Sequence, residues 1–187
     1  MSRVEKPRYH VIESRGRIEV RGYGPMIVAE TQVSGIRKDA IQQGFRRIAA
    51  YIFGSNTSTQ KIAMTAPVIQ QQTDPPCDSA DPVDRQVWTV RFVMPETYTL
   101  ETLPAPKDSK VKLLSLGARR YVVIRFSGSS NDENIRQHLA ILQKHVDEQD
   151  VSILGHPVMA FYNPPWTLPF LRRNEIWLEI APEPEHH

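Results

Sequence analysis

The chain has 187 residues, with 23 lysines and arginines against 21 aspartates and glutamates. A chain of this length buries roughly 70% of the surface it exposes when unfolded, so its stability does not call for a disulfide or a structural metal. A single cysteine excludes an intrachain disulfide and a thiolate-rich metal site, and a net charge of +2 without a continuous basic run gives no support to a nucleic-acid partner.

The chain opens on a polar stretch, Met1 to Arg8, without the apolar segment of a signal peptide. No apolar run is long enough to cross a bilayer, and the expected location is the cytoplasm. Tyr9 to Glu13 reads as a short extra strand, and Arg17 to Tyr23 as a second one. Gly24 to Gly35 is an apolar strand that ends in Ser-Gly. A helix is then predicted from about Ile36 to Phe53. Its stripe of Ile41, Phe45, Ile48 and Ile52 follows a helical period and puts Phe45 against a sheet. Ser34 is its expected cap and Gly54 its stop.

Lys61 to Val68 has proline and small residues breaking into a strand. It reads either as a strand start after a turn or as a groove wall in which Met64 offers a soft surface. Gln70 to Asp84 is polar, rich in proline and without periodicity, hence a loop, and Cys77 lies in it. Val87 to Phe92 is a strand, and Met94 to Asp108, with Pro95, Pro104 and Pro106, is irregular.

From here the pattern repeats. Lys110 to Leu116 matches the strand at Arg17 to Tyr23. Gly117 to Gly128 matches Gly24 to Gly35, again from Gly to Ser-Gly. A second helix over Asp132 to Glu148 carries the stripe Ile135, Leu139, Leu142 and Val146, with Ser130 or Asn131 as cap and Asp132 and Glu133 in its first turn. His156-Pro157-Val158 matches Ala66-Pro67-Val68, and Glu175 to Ile180 matches Val87 to Phe92. The expected fold class is therefore α+β, with pseudo-two-fold duplicated β-β-α-β-β units forming a twisted, partly open β-barrel flanked by two helices. One domain is expected over residues 1–187, with halves at about 9–94 and 108–181. A groove along the pseudo-axis is the default ligand site.

Phe161 to Phe170 gathers aromatics and prolines outside any regular element. Tyr162, Trp166 and Phe170 either pack on the barrel mouth or form an apolar wall for a planar ligand. Arg172 and Arg173 follow, placed to hold carboxylates of a ligand or to pair with Glu175. His10, His138, His145 and His156 show no zinc spacing; any one could ligate haem iron, but each reads first as surface or edge packing. No nucleophile elbow, phosphate loop or dinucleotide fingerprint occurs.

Ile18-Glu19-Val20-Arg21-Gly22-Tyr23-Gly24-Pro25, Lys61 to Val68, Phe92-Val93-Met94-Pro95, Tyr162-Asn163-Pro164-Pro165 and Arg173-Asn174-Glu175-Ile176-Trp177 together resemble the SOUL haem-binding family. The resemblance runs from about Tyr9 to Ile180. It implies a duplicated, twisted barrel with two helices and non-enzymatic binding of haem or a related tetrapyrrole in an apolar groove. Under that reading Met64, Tyr162 and Trp166 supply apolar contact, and Arg172 and Arg173 meet the propionates. In some members a histidine after the Tyr-Glu-x-Arg stretch is proposed as axial ligand. Here the position is Gly22, so iron coordination is expected to be weak or to come from another residue, and metal-free protoporphyrin to bind within about tenfold of haem. The alternative is a broad-specificity sensor of amphipathic molecules or a protein-interaction domain. A third reading, an enzyme, would use Glu19, Glu30, Tyr162 and Glu175 as acid and base groups; no catalytic residue and no metal ligand is assigned.

Overall fold

Both repeats form the predicted kinds of element, and each gives its leading strand to the sheet of the other. The computed structural model describes residues 4–74 and 86–182; Cys77 lies outside the described residues. In chain order the elements are β1 (Tyr9–Arg15), β2 (Ile18–Tyr23), β3 (Met26–Ser34), α1 (Arg37–Ile52), β4 (Val68–Thr73), β5 (Val87–Val93), β6 (Lys112–Leu116), β7 (Arg119–Phe126), α2 (Asp132–Glu148), β8 (Ile153–Phe161) and β9 (Asn174–Ile180). The chain divides into two compact units. Unit one holds strands in the order β4-β5-β3-β6, and unit two in the order β1-β2-β7-β9-β8. All the strand pairs within them are antiparallel. β2, read as opening the first half, pairs with β7, and β6, read as opening the second, pairs with β3. The class is α+β, with one helix on each unit's sheet.

In unit one, α1 lies on β3 and β5. Its buried line is Ala40, Gly44, Ile48, Tyr51 and Ile52. Ile48, Tyr51 and Ile52 pack with Ala29, Val90, Phe92 and Leu103. A β-carbon at Gly44 would stand 2.6 Å from Cγ2 of Val90, so glycine lets the helix settle close to the sheet. Ile48 and Ile52 of the expected stripe are buried and Ile41 packs beside them, while Gly44 takes the contact expected of Phe45. Phe45 is 41% exposed and touches Phe92 only from the side, with ring centroids 5.3 Å apart. Ser34 does not cap α1. The N-cap residue is Ile36, with no side-chain bond, because Ser34 is still paired in β3.

β4 runs on to Thr73, so Gln70 to Thr73 is strand and not loop. Its polar side chains find partners there: Arg37 donates to Gln70, Arg91 donates to Gln71, and Thr73 bonds Thr89. Lys61 to Pro67 precedes this strand. Thr65 within it donates to the carbonyl of Val93 at 2.6 Å, and Met64 is 36% exposed.

In unit two, α2 lies on β7 and β9. Asn131 caps it, its side chain accepting from the amide of Asn134. Ile135, Leu142 and Val146 are buried, as are Val122 and Ile124 on β7 and Ile176 and Leu178 on β9. A register shift between Leu154 and Val158 takes up Gly155 and Pro157 in β8. Among the described residues no helix is long and apolar enough to cross a membrane.

The packing ranks two substitutions. Ile48→Ala is expected to cost about 2–5 kcal/mol. Phe45→Ala, with only part of its ring covered, is expected to cost about 1–2 kcal/mol. Urea denaturation of both variants measures the order, and a larger loss at Phe45 would reverse the assignment of the helix face.

Candidate functional site

Unit two concentrates the polar chemistry around one carboxylate. Arg21 on β2 and Glu175 on β9 lie on the same side of the sheet, with β7 between them. Alternation places Tyr23, Tyr121 and Trp177 on that side too. Tyr23 and Trp177 have ring centroids 4.9 Å apart, and Tyr121 and Trp177 5.3 Å. Glu175 is fully buried at 0% exposure, and both of its oxygens are saturated. Its Oε2 accepts from Arg21 Nη1 at 2.9 Å, Tyr162 Oη at 3.0 Å and Trp177 Nε1 at 2.8 Å. Its Oε1 accepts from Arg173 Nε at 2.9 Å and Nη2 at 2.8 Å. Arg21 also donates to Glu19 at 2.7 Å and to Tyr23 Oη at 3.2 Å. The two guanidinium groups lie over tyrosine rings, Arg21 over Tyr9 at 4.2 Å and Arg173 over Tyr162 at 4.0 Å.

Burial by itself would raise the Glu175 carboxyl. The hydrogen bond and charge of Arg21, the charge of Arg173 and the indole of Trp177 outweigh it, and the carboxyl sits below the usual range. The Tyr162 and Tyr23 phenols are pushed up, first by burial and then by the charge of Glu175. The carboxylate therefore stays ionised and the phenols stay protonated. Glu30, on unit one, pairs with Arg91.

The aromatic segment after β8 divides sharply. Tyr162 is buried with its hydroxyl on Glu175, whereas Trp166 is 84% exposed, Leu168 55%, Phe170 71% and Leu171 62%. The segment is held by its own bonds. Arg172 Nε donates to the carbonyl of Thr167 at 2.8 Å and Nη2 to that of Pro165 at 2.7 Å. The amide of Arg173 donates to Asn163 Oδ1, and that of Gly128 to the carbonyl of Pro169. Tyr162, Arg172 and Arg173 thus have partners inside unit two, while Trp166 faces solvent. Met64 belongs to unit one.

A second feature was not read from the sequence. His10 on β1 is paired with Gly22 on β2. A β-carbon at position 22 would stand 2.3 Å from Cε1 and 2.6 Å from Nε2 of His10, so the imidazole occupies the space that a side chain at 22 would take. Beside it lies a cleft of about 340 Å³, walled by Ile12, Tyr23, Ile180 and Pro182 and bordered by Arg119 and Arg120. Ile12 reaches it from a bulge in β1 between Val11 and Glu13. Glu179 holds Arg119 at 3.1 Å. The other histidines differ. His138 stacks on Phe126 at 4.1 Å and bonds the carbonyl of Asn134, and His145 sits in the last turn of α2. Only the strand register could have revealed the His10–Gly22 match. Arg21 was missed as a buried charge because single residues in an alternating strand do not announce a partner 154 positions away.

These features define a class of duplicated α+β proteins with an arginine-clamped carboxylate and open apolar surface. The chain matches the family model described as SOUL heme-binding protein over residues 4–179. It is 31% identical over 188 residues to heme-binding protein 2 of Homo sapiens, covering 97% of this chain and 88% of the human one. Among solved structures it is similar to the C-terminal domain of EcmrR, with TM-score 0.65, 11% identity and coverage of 92% of this chain and 98% of that one. It is also similar to SAV2435 bound to tetraphenylphosphonium, with TM-score 0.54, 12% identity and coverage of 91% and 97%. The chain belongs to the SOUL heme-binding protein family.

Removing the central charge tests the clamp. Glu175→Gln leaves Arg173 without its counter-charge and Arg21 with Glu19 alone, and is expected to cost about 3–5 kcal/mol in denaturant unfolding. The folded carboxyl lies below its unfolded value, so its contribution is present above the ordinary carboxylate pKa of about 4 and is lost as pH falls through the folded value. The variant should therefore lose part of the acid-side slope of stability against pH. An unchanged slope would show that Glu175 does not carry it.

Proposed function

We propose that this chain binds haem or a related tetrapyrrole without turning it over. The observation that carries the choice of binding over catalysis is the saturation of Glu175: the carboxylate at the centre of unit two already accepts five internal hydrogen bonds. Family membership supports the ligand class. A tetrapyrrole needs apolar surface for its plane and cations for its propionates. Removing such a plane from water is favourable at roughly 25 cal/mol per Å², and guanidinium groups meet carboxylates with good geometry. Unit two offers that combination at two places. One is the aromatic segment expected from the sequence, with Trp166 as the plane and Tyr162, Arg172 and Arg173 fixing its shape. The other is the cleft beside His10, where Arg119 and Arg120 border apolar walls. Met64, on unit one, is retained as a proposed apolar contact.

A second reading, a surface for varied amphipathic molecules or a protein partner, is favoured by one observation. Trp166, Leu168, Phe170 and Leu171 are held open by a bonded segment and do not collapse onto the sheet. Solved SAV2435 carries a lipophilic cation, which makes that ligand class a suitable probe.

Titration of haemin into the protein is expected to give a shifted Soret band that saturates at one equivalent. Metal-free protoporphyrin should saturate as well, followed by fluorescence. Absence of saturable binding at low micromolar concentration would sink the tetrapyrrole reading. Stabilisation by tetraphenylphosphonium but not by porphyrins in a thermal-shift screen, lost in Trp166→Ala, would move the function to the second reading.

A further inference from the structure

We propose that His10 is the residue that ligates the iron when haem binds this chain, and that Gly22 is glycine because the imidazole needs its space. The inference rests on the tetrapyrrole reading and gives it a specific place in unit two. Four observations converge. His10 lies on an exposed strand, and its ring has no hydrogen-bond partner among the described residues. The ring is seated against the next strand, since any β-carbon at position 22 would come within 2.3 Å of it. The strand pairing carries this row across the sheet, from His10 to Gly22, Arg120 and Ile180, so the imidazole, a cation and an apolar side chain share one face. The adjoining cleft of about 340 Å³ supplies apolar wall from Ile12 and Ile180.

This donor set suits the group. An imidazole nitrogen is a common protein ligand to haem iron, and its lone pair must be uncommitted to serve. Arg120, in the same row as His10, can meet a propionate while the walls cover part of the ring plane. His138 is committed differently, to the Phe126 ring and to the carbonyl of Asn134.

The test uses the full chain with haemin and metal-free protoporphyrin as probes. In the unmodified protein haemin should bind at least about tenfold more tightly than protoporphyrin and show the Soret band and electron paramagnetic signal of an imidazole-bound iron. His10→Gly should bring haemin down to the affinity of protoporphyrin, leave protoporphyrin unchanged and regain the spectrum when free imidazole is added. Rescue of this kind is not expected from a merely structural role. Gly22→Ala pushes the ring aside without touching backbone, so it should weaken haemin and spare protoporphyrin while the circular dichroism stays native. His145→Ala should leave the haem spectrum as it is. A Soret band and affinity unaffected by His10→Gly would overturn the proposal and leave tetrapyrrole binding standing. So would loss of the haem spectrum in Trp166→Ala with its retention in His10→Gly. Failure of both probes to saturate on the unmodified protein would overturn the tetrapyrrole reading itself, and the assignment of His10 with it.

Discussion

Unit two is organised by a carboxylate taken out of water. An ion as buried as Glu175 is costly unless charge and hydrogen bonds around it are complete. Here they are supplied by β2 through Arg21, by the residue after β8 through Tyr162, and by β9 and its approach through Trp177 and Arg173. Segments far apart in the chain must all be in place before the charge is satisfied. The same need ties β2 into this sheet, since Arg21 reaches Glu175 across β7. The aromatic rings of Tyr9 and Tyr162 then cover the guanidinium faces and keep water from the pair.

That arrangement directs chemistry outward. The Glu175 carboxylate is held ionised and the Tyr23 and Tyr162 phenols are held protonated. What unit two presents to solvent is apolar surface with guanidinium groups beside it, at the Trp166 segment and at the His10 cleft. The buried arginines serve the surface indirectly. Arg173 anchors the end of the aromatic segment to Glu175, while Arg172 closes the segment on its own carbonyls. Rigid exposed rings lose little entropy on contact with a ligand or partner, which is the physical advantage of such a device.

Close approach through glycine recurs in both units with different results. At Gly44 a missing side chain lets a helix sit down on Val90. At Gly22 it lets an imidazole from the next strand lie on the sheet. In the first case the consequence is packing density, and in the second a free donor group beside a cleft.

The sequence by itself determined the α+β class, the two repeats and the second helix with a cap at Ser130 or Asn131. Each of those rests on local signals: alternation, a helical stripe, a Ser-Gly end and a side chain that bonds its own neighbours. It also carried the family, through motifs at Ile18 to Pro25, Lys61 to Val68 and Arg173 to Trp177. Tertiary structure alone decided which strand pairs with which. β2 and β6 change places between the units because pairing depends on long-range register, which no window of sequence contains. It decided that Phe45 stays half in water, since the depth at which α1 sits is set by Gly44 against Val90. It decided too that Gln70 to Thr73 is strand, because Arg37, Arg91 and Thr89 satisfy side chains that read as loop. Most of the candidate site belongs to this second kind. The aromatic segment was legible as composition, but the division between buried Tyr162 and exposed Trp166 follows from where Glu175 sits. The seat of His10 on Gly22 exists only once two strands are in register, where one residue's absent side chain becomes another's space.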